Sequence, residues 1–122
     1  VLYIEDNDIN VEVMRGILSR RPQVLMSVAT TGLDGLAAVR TTTPDLVLLD
    51  MNLPDIGGMA LLQHLKADER TAEIPVVIVS ADAMPAQIQA ALQAGAARYL
   101  TKPVSVEDTL AVVDEQLAQA VT

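Results

Sequence analysis

Leu46-Val47-Leu48-Leu49-Asp50 is the stretch that decides the fold. Consecutive aliphatic residues without polar alternation describe a strand buried on both faces, as in a parallel sheet, and a carboxylate stands at its carboxyl end. The pattern repeats outward in both directions. Apolar runs at 1–4, 24–28 and 76–79, with a weaker one at 98–100, predict four more strands. Between them, segments of helical period predict helices at 9–18, 33–40, 59–66, 86–94 and 105–120. The last is the clearest: Val106, Leu110, Val113, Leu117 and Val121 recur three and four apart, with Asp108, Asp114, Glu115 and Gln119 on the other face. Ser105 with Asp108 has the spacing of a capping box, Gly95 closes the fourth helix, and Pro44 and Pro75 precede strands.

Strands alternating with helices mean βαβ units, a mainly parallel sheet and right-handed crossovers covering both faces. The expected fold class is therefore α/β: a doubly wound five-stranded parallel sheet with five helices, in the flavodoxin-like order 2-1-3-4-5. In that order the binding crevice lies between the carboxyl ends of the first and third strands.

Composition narrows the function. A chain of 122 residues is one domain, 1–122. Eight basic against sixteen acidic residues, a net charge of -8, would repel a phosphate backbone, so direct nucleic-acid binding is not expected. The absence of cysteine excludes disulfides, zinc-thiolate sites and Cys nucleophiles. No apolar run approaches the roughly 20 residues a membrane span needs, and a cytoplasmic location is expected. The sequence opens directly on Val1-Leu2-Tyr3-Ile4, without Met or a basic segment, so the expectation is a first strand cut from a longer chain.

The crevice residues are acidic. Glu5 and Asp6 end the first strand and Asp50 ends the third. Converging carboxylates raise one another's pKa or recruit a cation, and oxygen-only ligands favour Mg²⁺. The fourth strand ends in Ser80-Ala81 and the fifth in Lys102, giving a hydroxyl and an ammonium for an arriving phosphoryl group. No Ser, Cys or His in the cluster is better placed to attack than Asp50, which would form an aspartyl phosphate. Lys102-Pro103 is a candidate cis bond, because a turn must aim the lysine back at the site.

These residues resemble the receiver domain of two-component response regulators, of the kind also attached to hybrid sensor histidine kinases. The resemblance covers the whole chain and is carried by Ile4-Glu5-Asp6-Asn7, the stretch Leu48 to Gly58, Ser80-Ala81-Asp82-Ala83, and Tyr99-Leu100-Thr101-Lys102-Pro103. It implies that Asp50 is the phosphoacceptor and that Glu5 and Asp6 hold Mg²⁺ directly or through water. It further implies that Asn52 gives the metal its backbone carbonyl, that Ser80 is the switch hydroxyl, that Tyr99 is the switch aromatic, and that Lys102 pairs with the phosphate. Glu5 stands where Asp is common and Ser80 where Thr is common. The implied partners are a sensor histidine kinase or histidine phosphotransfer protein as phosphodonor, an attached or separate output domain, and a phosphorylation-dependent dimer. The output face would be the fourth helix, fifth strand and fifth helix.

Each feature also has a plainer reading. Glu5-Asp6 alone suits a solvated turn before a helix, and Tyr99 suits ordinary packing at a sheet edge as well as a switch. Gly57-Gly58 lacks the context of a phosphate-cradling loop and reads as a flexible start to the third helix; His64 reads as a helix-flank residue rather than a phosphodonor. A Mg²⁺-dependent phosphohydrolase usually needs a second acid two residues after the nucleophile, where this chain has Asn52. A docking domain without phosphorylation would have no use for unpaired strand-end carboxylates. Asn52 and Asp82 are expected to border the path of water to the phosphorus and so to tune dephosphorylation.

Overall fold

A computed structural model describes residues 1–121, with side chains through Ala118. The strands are β1 (Leu2–Ile4), β2 (Ser27–Ala29), β3 (Val47–Asp50), β4 (Val76–Ser80) and β5 (Arg98–Thr101). The helices are α1 (Asp8–Leu18), α2 (Gly32–Thr42), α3 (Gly58–Ala67), α4 (Pro85–Gln93) and α5 (Val106–Val121). All strand pairs are parallel, in the order β2-β1-β3-β4-β5, as the alternation of runs and periods predicts.

The pleat divides the apolar runs between two layers. Leu2, Ile4, Val47, Leu49, Val76 and Ile78 face Val39 of α2, Leu61, Leu62 and Leu65 of α3, and Ala91 of α4. Tyr3, Leu48, Val77, Val79 and Leu100 face Val11, Met14 and Leu18 of α1 and Val113 of α5. Register sets Ile4 beside Leu49 and Asp50 beside Val79, so β1, β3 and β4 end at one edge of the sheet.

Helix ends follow local chemistry. The Asn7 side chain accepts from Asn10 N at 3.0 Å and Thr31 Oγ1 from Asp34 N at 3.0 Å, each satisfying a first-turn donor. Ser105 lies outside α5 and caps it, its Oγ accepting from Asp108 N at 3.0 Å. Gly95, at φ 112°, closes α4 as expected: Ala96 N bonds to Ala91 O and Gly95 N to Leu92 O, a paired arrangement that a left-handed residue makes possible. The expectations for Gln119 and Val121 as face residues lie outside the described side chains.

Two expectations need correction. The second strand is not 24–28 but Ser27–Ala29: Val24 N closes a turn onto Arg21 O, and Leu25 is 83 % exposed. An edge strand pairs on one side only, so the turn leaving α1 wins over apolar propensity. Gly57-Gly58 is also more than a flexible start to α3. Gly58 is buried, its N–H donates to Met51 O at 3.1 Å, and a Cβ there would stand 2.6 Å from Met51 Cα and 2.8 Å from Asp50 O. Helix α3 thus begins against the backbone that carries Asp50.

The adjacent glycines provide their own control, because nothing lies within 4 Å of a Cβ at Gly57. Gly58→Ala is expected to destabilise by about 2 kcal/mol, since backbone cannot yield as a side-chain tip can, whereas Gly57→Ala should stay within about 0.5 kcal/mol of the parent. Urea midpoints at constant m-value measure both; equal midpoints would contradict the close approach.

Candidate functional site

Glu5 extends β1 by one residue, its N–H donating to Ala29 O at 2.9 Å, which fixes its Cα at the sheet edge. Its side chain is 1 % exposed, Asp50 at the end of β3 is 3 % exposed, and Asp6 is open to solvent. One carboxylate oxygen from each of the three lies within 4.8 Å of the others. Lys102 reaches the cluster from the end of β5. Its N–H continues the ladder to Ser80 O at 2.8 Å, and a cis Lys102-Pro103 bond then turns the chain away. The ammonium stands 3.0 Å from Glu5 Oε1 and 3.4 Å from Asp50 Oδ1. Asn52 N donates to the same Asp50 Oδ1 at 3.3 Å, and the buried Tyr3 hydroxyl donates to Glu5 Oε1 at 3.3 Å.

The charges do not balance. One ammonium serves two buried carboxylates, and the shorter contact goes to Glu5. Burial, then the hydrogen bond and charge of Glu5, push the Asp50 carboxyl up to about 6, against the Asn52 N–H and Lys102. Burial also pushes Glu5 up, but hydrogen bonds with Asp50 and Lys102 outweigh it and hold Glu5 below its ordinary value. Glu5 Oε2 is buried with no hydrogen-bond partner. A surplus of negative charge, an all-oxygen donor set and an unsatisfied buried acceptor suit a hard divalent cation of the Mg²⁺ class.

The β4–α4 loop forms the neighbouring wall. Ser80 is buried and its Oγ accepts from Asp82 N at 3.1 Å; Asp82 Oδ1 accepts from Met84 N at 2.9 Å; and the hydroxyl of half-buried Tyr99 donates to Asp82 O at 2.7 Å. Tyr99 is thus tied to the residue that bonds Ser80. Asn52 and Asp82 are exposed beside the cluster, and His64 is exposed on α3.

Sequence reasoning missed two contributors. Tyr3 and Glu5 are two apart on a strand and share a face, so period two alone could have paired them. Asp55 gave no such signal. Its carboxylate takes N–H groups of Gly32 at 2.7 Å and Leu33 at 2.9 Å, joining the loop after Asp50 to the start of α2. The Leu33 N–H, opposed by burial and helped by Gly32, holds that carboxyl below its ordinary value.

Residues 1–114 match the family model of the response regulator receiver domain. The polar-differentiation response regulator DivK of Brucella ovis is 32 % identical over 120 residues, covering 98 % of this chain and 97 % of that protein. Among solved structures, a CheY-like response regulator receiver domain protein from Methanospirillum hungatei JF-1 superposes with a TM-score of 0.85 at 28 % identity, covering 98 % of this chain and 93 % of the other. The receiver domain of a sensor histidine kinase from Pseudomonas aeruginosa PAO1, solved with a magnesium ion coordinated in its active-site cleft, superposes with a TM-score of 0.85 at 24 % identity, covering 96 % and 95 %. With an acidic cluster that fits a phosphoacceptor site at the end of a 2-1-3-4-5 sheet, this chain belongs to the receiver domains of two-component response regulators.

Proposed function

We propose that the domain takes a phosphoryl group from a phosphohistidine donor, a sensor kinase or histidine phosphotransfer protein, onto Asp50, and that it works in the cytoplasm. The observation that carries this reading is the meeting of Glu5, Asp6 and Asp50 with the Lys102 ammonium at one sheet edge. Glu5, Asp6, Asp50 and the Asn52 carbonyl would hold Mg²⁺. When bound, the cation offsets the surplus charge of the cluster and of the phosphoryl oxygens. Lys102 and Asn52 N–H both engage Asp50 Oδ1, which leaves Oδ2 to attack phosphorus as the P–N bond of the donor breaks and the imidazole leaves with the electron pair. Lys102 then pairs with a phosphoryl oxygen.

Ser80 turns the new charge into movement. Its Oγ already accepts from Asp82 N, and its proton is available to a phosphoryl oxygen. Drawn inward, it pulls Asp82, and the Tyr99 hydroxyl follows through Asp82 O. The face of α4, β5 and α5 is what changes, and it would meet an output domain or a second copy. Helix α4 suits this role because Ala91 is its one buried residue among those described.

With Mg²⁺ and acetyl phosphate, intact mass should show a single added phosphoryl group, mapped to Asp50 and absent in Asp50→Asn. Label on Ser80 or His64, or label retained in the Asn variant, would overturn the assignment.

The raised Asp50 carboxyl fixes the sign of a second outcome. Its folded value of about 6 lies above the ordinary 3.8, so ionised Asp50 burdens the fold. That burden is absent below about pH 4, grows as pH rises towards 6, and is complete above it. In chelator at pH 7.5, Asp50→Asn should be more stable than the parent by on the order of 2 kcal/mol, with the gain fading towards pH 4 and shrinking in millimolar Mg²⁺. A gain independent of pH, read from denaturant midpoints, would show that Asp50 carries no such burden.

Asn52 and Asp82 border the approach of water to the phosphoryl group. Asn52 is too short to shield the phosphorus, and the free oxygen of Asp82 can orient an entering water. Asn52→Arg and Asp82→Ala should each slow loss of the phosphoryl group severalfold at constant Mg²⁺, with Asp108→Ala as the surface-charge control. Unchanged rates in both would reject the water-access role.

A further inference from the structure

Glu5 has one more carbon than an aspartate would, and that length needs control. Its Oε1 takes two donors, the Lys102 ammonium at 3.0 Å and the Tyr3 hydroxyl at 3.3 Å, while Oε2 is buried with none. The two donors differ in what else they must do. In the proposed reaction Lys102 turns to the arriving phosphoryl oxygen and loosens its hold on Oε1. Tyr3 has no competing duty: it is 1 % exposed, its ring packs with Val11, Met14 and Val113 in the layer under α1 and α5, and Glu5 Oε1 is the acceptor the structure gives its hydroxyl.

We propose that Tyr3 is a positioning residue for Glu5, its hydroxyl holding Oε1 so that Oε2 stays turned to the cation site when Lys102 leaves for the phosphoryl group. This rests on the reading of Glu5 as a magnesium-site carboxylate and adds a residue to it. Strand geometry makes the pairing possible, since residues two apart on β1 point to the same side. Packing makes it rigid, since a tyrosine buried in a cluster with Val11, Met14 and Val113 spends little entropy holding a proton in place. The pairing is specific to glutamate, because an aspartate at position 5 ends one carbon short of Oε1. Asn10, on α1, lines a cavity of about 120 Å³ with Tyr3 and Lys102.

The test is a double-mutant cycle on the whole domain: parent, Tyr3→Phe, Glu5→Asp, and both together. Phe keeps the ring and its packing and removes only the hydroxyl. Mg²⁺ dissociation constants come from NMR titration of backbone amides, and melting temperatures without metal report the fold. Tyr3→Phe should weaken Mg²⁺ binding about tenfold in the Glu5 protein, with a melting temperature within about 3 °C of the parent. In the Glu5→Asp protein the same change should leave affinity within about twofold, because the shorter carboxylate has no bond to lose. Unchanged affinity in the Glu5 protein, or an equal loss in both, would overturn the inference. Failure of the parent itself to bind Mg²⁺ at millimolar concentration is a different result: it would remove the magnesium reading of the site and the role of Tyr3 with it.

Discussion

The contact on which the site depends is the Lys102 ammonium between Glu5 Oε1 and Asp50 Oδ1. Two carboxylates taken out of water each carry a desolvation penalty of several kcal/mol, and a lone buried anion would protonate or pull the edge apart. A single lysine cannot satisfy both. It stands nearer Glu5, and burial together with the charge of Glu5 leaves the Asp50 carboxyl above its ordinary value, the inequality on which the proposed role of Asp50 as phosphoacceptor draws. The fold supplies the means: β1 and β3 are neighbours, and β5 ends beyond β4 with the Lys102 ammonium reaching back to both acids.

Most of the architecture was legible because buried parallel strands cannot alternate. The runs around Leu48 and Ile78 are apolar on both faces for the simple reason that both faces are covered, and that signal survives without any knowledge of partners. Ser27–Ala29 lacks it. Covered on fewer sides and paired along only one, β2 has its position set by three backbone pairs to β1, while the more apolar Val24 and Leu25 fall in the turn leaving α1. Gly58 was hidden for another reason. Its requirement is a distance to Met51 and Asp50 backbone, a property of how α3 docks that residue type alone does not reveal.

The acids and the lysine of the site were legible because each ends a strand, and strand ends of a doubly wound sheet converge by topology. What stayed hidden was the way these groups are held. Asp55 is an ordinary loop acid until α2 is placed, when its two oxygens meet the Gly32 and Leu33 N–H groups and the loop after Asp50 becomes fixed to the start of α2. Asp82 likewise stood out as a loop acid beside the hydroxyl, yet one of its oxygens closes the turn onto Met84 N, so the residue has a backbone duty as well as the kinetic one proposed for it.

The backbone of Asp82, through its N–H and its C=O, links Ser80 to a distant surface. Ser80 Oγ, Asp82 N–H, Asp82 C=O and Tyr99 Oη form a chain in which each link uses a different atom, so tightening one link does not require breaking the next. In the proposed reaction, a proton donated by Ser80 to a phosphoryl oxygen would leave its lone pair on Asp82 N–H in place, and the loop would be drawn along rather than released. The far end of the chain is an aromatic ring on β5, half-buried against the core. The element the loop leads into is α4, held by Ala91 while Met84 and Leu92 face solvent. With so little of it buried, the free energy of a few charge-assisted hydrogen bonds at the site would be enough, in the proposed reaction, to bias its position.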